Sequence, residues 1–278
     1  ACSFDEHACR GINPLFIFGC GDYVRGYVLS SFKAFKKFAV CDYNDLILND
    51  LQGEFPVICN HYSEILDAWE SAVEPVALIC TYHSDHAKIA KKLFEKNSAG
   101  YIFIEKPPVV SISDLNALVD LYSSGAYVEI GYNRRYAPVV DFLKSKLSDD
   151  PKFINISVNE LQLNSSHWYF WPNQGTRVTG NGCHWVDLCQ YLIDSKPVSV
   201  AVSRSSIWPD NVSISVNYYD GSLANIFLCD KGNGLRGVQE FIEVKESGKT
   251  IFVDDFLTVK YINKRGKSRS KKILRRNK

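Results

Sequence analysis

The chain has 278 residues, 46% of them hydrophobic and 23% charged, with a formal net charge of +1. That composition supplies enough apolar material for one large or two smaller domains and excludes a disordered chain. The near-neutral balance excludes a global field for nucleic acid, and no apolar stretch reaches the ~20 residues of a membrane span. Nine cysteines are scattered without a C-x-x-C pair, a use of thiols as small buried hydrophobes that fits a reducing, cytoplasmic setting. No Cys/His group has metal-ligand spacing, so no metal is expected. Residues 1–10 carry Asp5, Glu6, His7 and Arg10 and do not form a secretion signal's apolar region.

From Asn13 to Arg135, short apolar runs alternate with amphipathic stretches. The runs are Leu15–Phe18, Phe38–Cys41, Pro56–Cys59, Val76–Cys80, Tyr101–Ile104 and Tyr127–Ile130. Between the fourth and fifth, Ile89, Ala90 and Leu93 share a helical face from which the lysines point away. Ser111-Ile112-Ser113-Asp114 opens a further helix in the manner of a capping box. Six such runs joined by helices predict a doubly wound parallel sheet, a Rossmann domain.

The first run leads directly into Gly19-Cys20-Gly21-Asp22-Tyr23-Val24. A lone G-x-G is weak, but this one follows the first strand and opens a helix, and Asp42 ends the second strand. That context is the dinucleotide fingerprint. Gly19 permits the tight turn, Gly21 lets the backbone approach a pyrophosphate, and the helix start offers N–H groups and a positive dipole end. Val24 stands where the third glycine belongs. Asp42 suits ribose hydroxyls and repels a 2′-phosphate, so NAD is favoured over NADP.

Past Pro138 the pattern changes to alternating runs at 153–159, 198–203, 212–219, 223–229, 239–244 and 250–258. These read as half-exposed antiparallel strands, with Asp220-Gly221 as a hairpin turn. Asn263 to Lys278 holds nine Lys or Arg and no acid, and reads as a solvated, frayed tail.

Several motifs remain: Thr81-Tyr82-His83-Ser84-Asp85-His86, Glu105-Lys106-Pro107-Pro108, Gly131-Tyr132-Asn133-Arg134-Arg135-Tyr136-Ala137-Pro138 and Gly180-Asn181-Gly182-Cys183-His184-Trp185-Val186-Asp187-Leu188. With the glycine loop, this set resembles the signature of the glucose–fructose oxidoreductase / inositol dehydrogenase / rhizopine-catabolism (Gfo/Idh/MocA) family over residues 13–262. The resemblance implies an NAD-binding Rossmann domain at 13–135 and an α+β domain at 136–262, whose large, mostly antiparallel sheet backs a substrate pocket and joins subunits into a homo-oligomer. It implies hydride transfer between NAD(P) and a hydroxyl or keto carbon of a sugar or nucleotide sugar. Cofactor contacts are then expected from Gly19, Gly21, Asp22, Tyr23, Val24, Asp42, Thr81, His83, His86, Glu105 and Lys106.

By the same resemblance Lys106 holds the substrate oxygen as charge develops, and His184 accepts and returns the proton. Many relatives carry an Asp one helical turn before the histidine, and this chain has Gly180 there. Asp187 either orients the imidazole or serves the helix structurally. The segment Asn164–Arg177 offers Trp168, Trp171, Asn173 and Arg177 for stacking on and hydrogen-bonding a sugar, or as a core cluster with an ordinary loop. Arg177 suits a substrate phosphate or a nearby carboxylate. Asn181 and His184 complete the substrate set with Tyr132, Asn133 and Arg135, three residues whose first task is to fix the domain junction. Two other readings stay open: a catalytically weak NAD-binding sensor or scaffold, and one module of a larger fused protein.

Overall fold

The computed structural model describes residues 13–32, 35–208 and 210–273, which divide into two compact units. The first comprises the described residues up to Gly131 together with Pro172–Gly175. Its strands are β1 (Pro14–Phe18), β2 (Lys36–Cys41), β3 (Val57–Cys59), β4 (Val76–Ile79), β5 (Tyr101–Ile104) and β6 (Tyr127–Ile130). They pair in parallel in the order β3-β2-β1-β4-β5-β6, the doubly wound Rossmann arrangement. All six apolar runs of the sequence are strands.

The two-residue period of a strand sends alternate side chains of β1 to opposite faces. Phe16 and Phe18 join Cys41, Cys59, Ile65, Trp69 and Leu93 in one core, while Leu15 and Ile17 join Val24, Val40, Leu48 and Phe55 in another. A central strand buried on both faces needs apolar residues at every position, which is why the run reads as continuous rather than alternating. Each such side chain contributes roughly 1.5–3 kcal/mol through burial.

Four α-helices cover this sheet: α1 (Asp45–Asp50), α2 (Leu66–Ser71), α3 (His86–Lys96) and α4 (Ile112–Ser123). Ile89, Ala90 and Leu93 are buried beneath α3, as the periodicity predicts. At the start of α4 the Ser111 hydroxyl accepts the Asp114 N–H at 3.1 Å and donates to the Asp114 carboxylate at 2.7 Å.

The helix expected after the glycine loop forms, but irregularly: a wide π-helical turn, Val24–Val28, runs into a 3₁₀ stretch, Leu29–Phe32. Val24, at the position of the third fingerprint glycine, is buried among Leu15, Ile17 and Val40. Its side chain occupies the space that a glycine leaves for close helix–strand packing.

The second unit spans Tyr132–Trp171 and the described residues from Thr176 onward. It contains α5 (Pro138–Lys144), α6 (Cys183–Ile193) and an eight-stranded sheet. The strands are β7 (Phe153–Asn159), β8 (Pro197–Arg204), β9 (Val212–Tyr218), β10 (Leu223–Cys229), β11 (Gln239–Glu246), β12 (Lys249–Asp254), β13 (Thr258–Ile262) and β14 (Ser268–Lys272). Their order is β14-β13-β12-β11-β7-β10-β9-β8, antiparallel except for β7 beside β10.

One face of this sheet packs under Val139, Val140 and Leu143 of α5 and Trp185, Leu188 and Leu192 of α6. The other face carries Phe227, Phe241, Phe252, Asn155, Ser157 and Glu243 around a groove of about 600 Å³. Gly221, at φ +86°, makes the β9–β10 hairpin at the predicted Asp220-Gly221 turn.

Two expectations for the end of the chain are corrected. The run 250–258 is not one strand, because β12 turns into β13 through Asp255 and Phe256 at φ 49° and 56°. The basic run from Asn263 is not a frayed tail throughout, since Ser268–Lys272 pairs with β13 as the edge strand β14. All five β14 residues are exposed, so Lys and Arg cost nothing there and keep the open edge from pairing further. Residues 1–12, which hold the sequence taken as no secretion signal, and the basic end at 274–278 lie outside the described residues.

Candidate functional site

In the first unit the glycine turn sits at the carboxyl end of β1, where open parallel sheets place their ligands. Gly19 adopts φ +82°, and a Cβ there would lie 2.5 Å from the Cys80 carbonyl oxygen. No other residue fits. Gly21 is different: its φ lies outside the left-handed region, and a Cβ would meet nothing within 4 Å. The space above Gly21 is open, so this glycine is not demanded by the fold's own packing.

Asp42, at the end of β2, faces the same turn. Its Oδ2 accepts the Cys20 N–H at 2.7 Å, and its Oδ1 accepts the Asn44 N–H at 2.9 Å. The carboxylate thus ties the glycine turn to the β2 end while remaining partly exposed. Burial, with the Asp42 charge adding to it, pushes the Cys20 thiol up to about 11, so that thiol stays protonated and inert. Asp22 points to solvent and pairs with Arg25 at 2.8 Å. Val24 is a core residue.

A second link crosses the sheet end. The Tyr23 hydroxyl donates to Glu105 Oε1 at 3.0 Å, and Glu105 Oε2 accepts the Lys106 N–H at 2.9 Å. Glu105 is folded back and buried, close against Gly131, where a Cβ would come 3.0 Å from Oε1. Tyr23 and Glu105, both expected to touch the cofactor, therefore join the glycine turn to the E-K-P turn. The Lys106–Pro107 peptide is cis.

The loop after β4 is held from two sides. The His83 N–H donates to Gln174 Oε1 at 2.8 Å, and His83 Nδ1 lies 2.9 Å from the Gln174 carbonyl oxygen. Burial is the main reason the His83 imidazole is lowered to about 4, so it is neutral at physiological pH. His86 has both ring nitrogens on backbone carbonyls, Pro107 at 2.8 Å and Thr81 at 3.0 Å. Thr81 in turn places its hydroxyl 3.4 Å from the Tyr82 carbonyl. His83 and His86, both expected at the cofactor, fix backbone in this arrangement. Gln174, only 1% exposed, was missed in the sequence because its partner lies ninety-one positions away. Asn173 donates to the Ser84 hydroxyl at 3.3 Å.

In the second unit, His184 lies in the first turn of α6 and is buried, its ring edge-on to Tyr132 at 6.4 Å between centroids. Burial pushes the Tyr132 phenol above its usual range. The turn before α6, Val178–Gly182, is again a wide one. It contains Gly180 and Gly182, and a Cβ on Gly182 would lie 3.1 Å from the Leu228 side chain on β10.

Asp187 receives hydrogen bonds on both carboxylate oxygens from Arg135, Nε to Oδ2 at 2.7 Å and the terminal nitrogen to Oδ1. Of the two roles open to Asp187, the structural one is supported. Burial raises its pKa, against the opposing pull of Arg135. The Arg135 guanidinium also lies over Tyr132 at 5.9 Å and Tyr191 at 5.2 Å, so it fixes the residues around α6. Asn133 is exposed and accepts from Arg134 at 3.2 Å.

Arg177 is 1% exposed. It donates to the Leu161 carbonyl at 2.8 Å and sits between two carboxylates, Glu160 at 4.0 Å and Asp230 at 3.7 Å. Of its two expected partners, phosphate or carboxylate, it has carboxylates. Asn181 donates to Glu160 at 3.0 Å, so the same buried cluster anchors the turn leading to His184. Trp168 packs on His167 and Tyr169, and Trp171 is 44% exposed. Among the described residues no group of three or more His, Cys, Asp or Glu is placed to hold a metal ion, and no helix is long and apolar enough to cross a membrane.

No family model matches the sequence, and no curated protein matches it. Solved structures do match in fold. A dehydrogenase from Chromobacterium violaceum has a TM-score of 0.80 at 13% identity, over 96% of this chain and 82% of its own. The WlbA dehydrogenase from the same species, solved with NADH and UDP-GlcNAcA, has a TM-score of 0.74 at 15% identity, over 89% of this chain and 75% of its own. The UDP-N-acetylglucosamine 3-dehydrogenase GnnA from Acidithiobacillus ferrooxidans has a TM-score of 0.74 at 17% identity, over 95% of this chain and 84% of its own. At such identities the likeness establishes the fold: a Rossmann-like parallel sheet followed by a large, mostly antiparallel one, shared with oxidoreductase and dehydrogenase structures.

Proposed function

We propose that this chain is an NAD-dependent oxidoreductase acting on a hydroxyl or keto carbon of a sugar or nucleotide sugar, as the Gfo/Idh/MocA resemblance implies. The observation that carries the reading is the glycine turn. Gly21 has open space where its own fold needs none, beside an acid at the end of β2. Two structures of the same fold were solved with NADH and UDP-GlcNAcA. NAD, when bound, supplies the nicotinamide carbon that accepts or returns hydride. Gly19, Gly21 and the helix start behind them would hold its pyrophosphate, and Asp42 its ribose hydroxyls.

Lys106, at the carboxyl end of β5, holds the substrate oxygen and stabilises its negative charge as the proton leaves. His184 takes that proton and returns it in the reverse direction. Trp171 offers a flat face for the sugar or base. The Arg135–Asp187 and Glu160–Arg177–Asp230 contacts keep the surroundings of His184 fixed. A specific observation favours a second reading: Gly180 stands where many relatives of the resembled family carry an acid, so an NAD-binding sensor without turnover has a structural basis.

Asp42→Ala is expected to weaken NAD several-fold and to narrow or invert the preference over NADP, because the repulsion of a 2′-phosphate goes with the carboxylate. Calorimetric titration with both nucleotides checks this. An unchanged ratio would remove Asp42 from the ribose site. The uncovered face bearing Phe227, Phe241 and Phe252 seats a second copy of the chain, making a homo-oligomer. Sedimentation of the protein purely as a monomer would remove that part of the proposal.

A further inference from the structure

His86 opens α3 and is 1% exposed. Its two ring nitrogens face carbonyl oxygens of two different strand-end loops. Pro107, 2.8 Å from Nδ1, follows β5 and directly succeeds Lys106. Thr81, 3.0 Å from Nε2, follows β4. A buried carbonyl without a donor is costly, about 1–3 kcal/mol. Burial favours the neutral ring of His86, which carries one N–H, and the shorter contact, to Pro107, is the one it serves. Before the lysine, the Lys106 N–H is held by Glu105, itself held by Tyr23. The lysine is thus gripped by its own N–H on one side and by the next residue's carbonyl on the other.

We infer that His86 is a positioning residue for Lys106: by donating its Nδ1–H to the Pro107 carbonyl it fixes the backbone from which the lysine side chain departs. The Cα–Cβ bond of Lys106 thereby has a fixed direction, and the consequence for turnover rests on the reading of Lys106 as a catalytic residue. Groups that face the ring are few. The His83 ring is 6.0 Å away between centroids, and the charges of Asp85 and Lys106 act on it. None of these replaces the Pro107 contact.

Two near-isosteric variants separate the two ring positions. In His86→Asn the amide nitrogen falls close to the position of Nδ1 and keeps the Pro107 contact. In His86→Gln the longer side chain carries its amide to the position of Nε2, beside Thr81, and leaves the Pro107 carbonyl without its donor. The readout is the rate at which acetic anhydride, added in trace amount to the folded protein, acylates the Lys106 amine relative to the other lysines, followed by peptide mass spectrometry. His86→Gln is expected to change that relative rate several-fold, with the other lysines unaffected, and His86→Asn to restore it.

Where a substrate is in hand, kcat for His86→Gln is expected to fall about 10- to 100-fold, as displaced reacting groups do, with KM for NAD unchanged. An equal Lys106 acylation rate in wild type, Asn and Gln variants would overturn the inference. So would equal changes in both variants. The acylation result does not depend on turnover, so an active Lys106→Ala would defeat the catalytic reading of the lysine while leaving this test of its placement intact.

Discussion

Gly21→Ala is expected to weaken NAD binding by about 30-fold or more, about 2 kcal/mol, with no loss of thermal stability. The expectation comes from two features of the turn. Gly21 lies outside the left-handed region, so an alanine there is not strained, and its methyl would enter space with no protein atom within 4 Å. Only something that approaches the backbone from outside would meet it, and a pyrophosphate is the ligand this turn fits. Gly19→Ala is the contrast. There φ is +82° and the added carbon would sit 2.5 Å from the Cys80 carbonyl oxygen, so the cost falls on the fold, on the order of 1–3 kcal/mol each for strain and overpacking. Differential scanning calorimetry with nucleotide titration distinguishes the two positions. Full NAD affinity in Gly21→Ala would show that the open space holds no cofactor.

Lys106→Ala is expected to lower turnover by about 10²–10³-fold, the usual cost of removing a donor aimed at developing negative charge. NAD affinity should stay within a few-fold, because the pyrophosphate and ribose contacts are assigned to the glycine turn and Asp42. The turn carrying Lys106 is fixed by backbone contacts from Glu105 and His86, and alanine keeps both. Loss of cofactor binding with the substrate step intact would assign the lysine to the cofactor instead.

Much of this architecture was legible in the chain because local chemistry dictated it. β1 is apolar at every position since both its faces are buried, and β7 alternates since one face is open. The capping box at Ser111 and the turn at Gly221 were readable for the same reason. What escaped lacked a local signal. β14 has no apolar pattern because an exposed edge strand has no face to bury. The turn between β12 and β13 uses Asp255 and Phe256 in the left-handed region instead of a glycine, so the two strands read as one.

At the site, the glycine turn and Asp42 were found because a fingerprint has fixed spacing. The contacts Tyr23–Glu105, His83–Gln174 and Arg177–Asp230 join residues far apart in sequence. Nothing local marks them. Several residues expected at the cofactor or substrate also hold backbone or one another, because a buried polar side chain must satisfy its own hydrogen bonds.

The central claim, hydride transfer between NAD and a sugar carbon, is tested most directly by mixing the purified protein with NAD and a panel of nucleotide sugars and following nicotinamide absorbance. Reduced nicotinamide is expected to accumulate only when both protein and one of the sugars are present, and to be lost in Lys106→Ala. Saturable NAD binding with no absorbance change on any sugar, in either direction of the reaction, would contradict it and leave the sensor reading in its place.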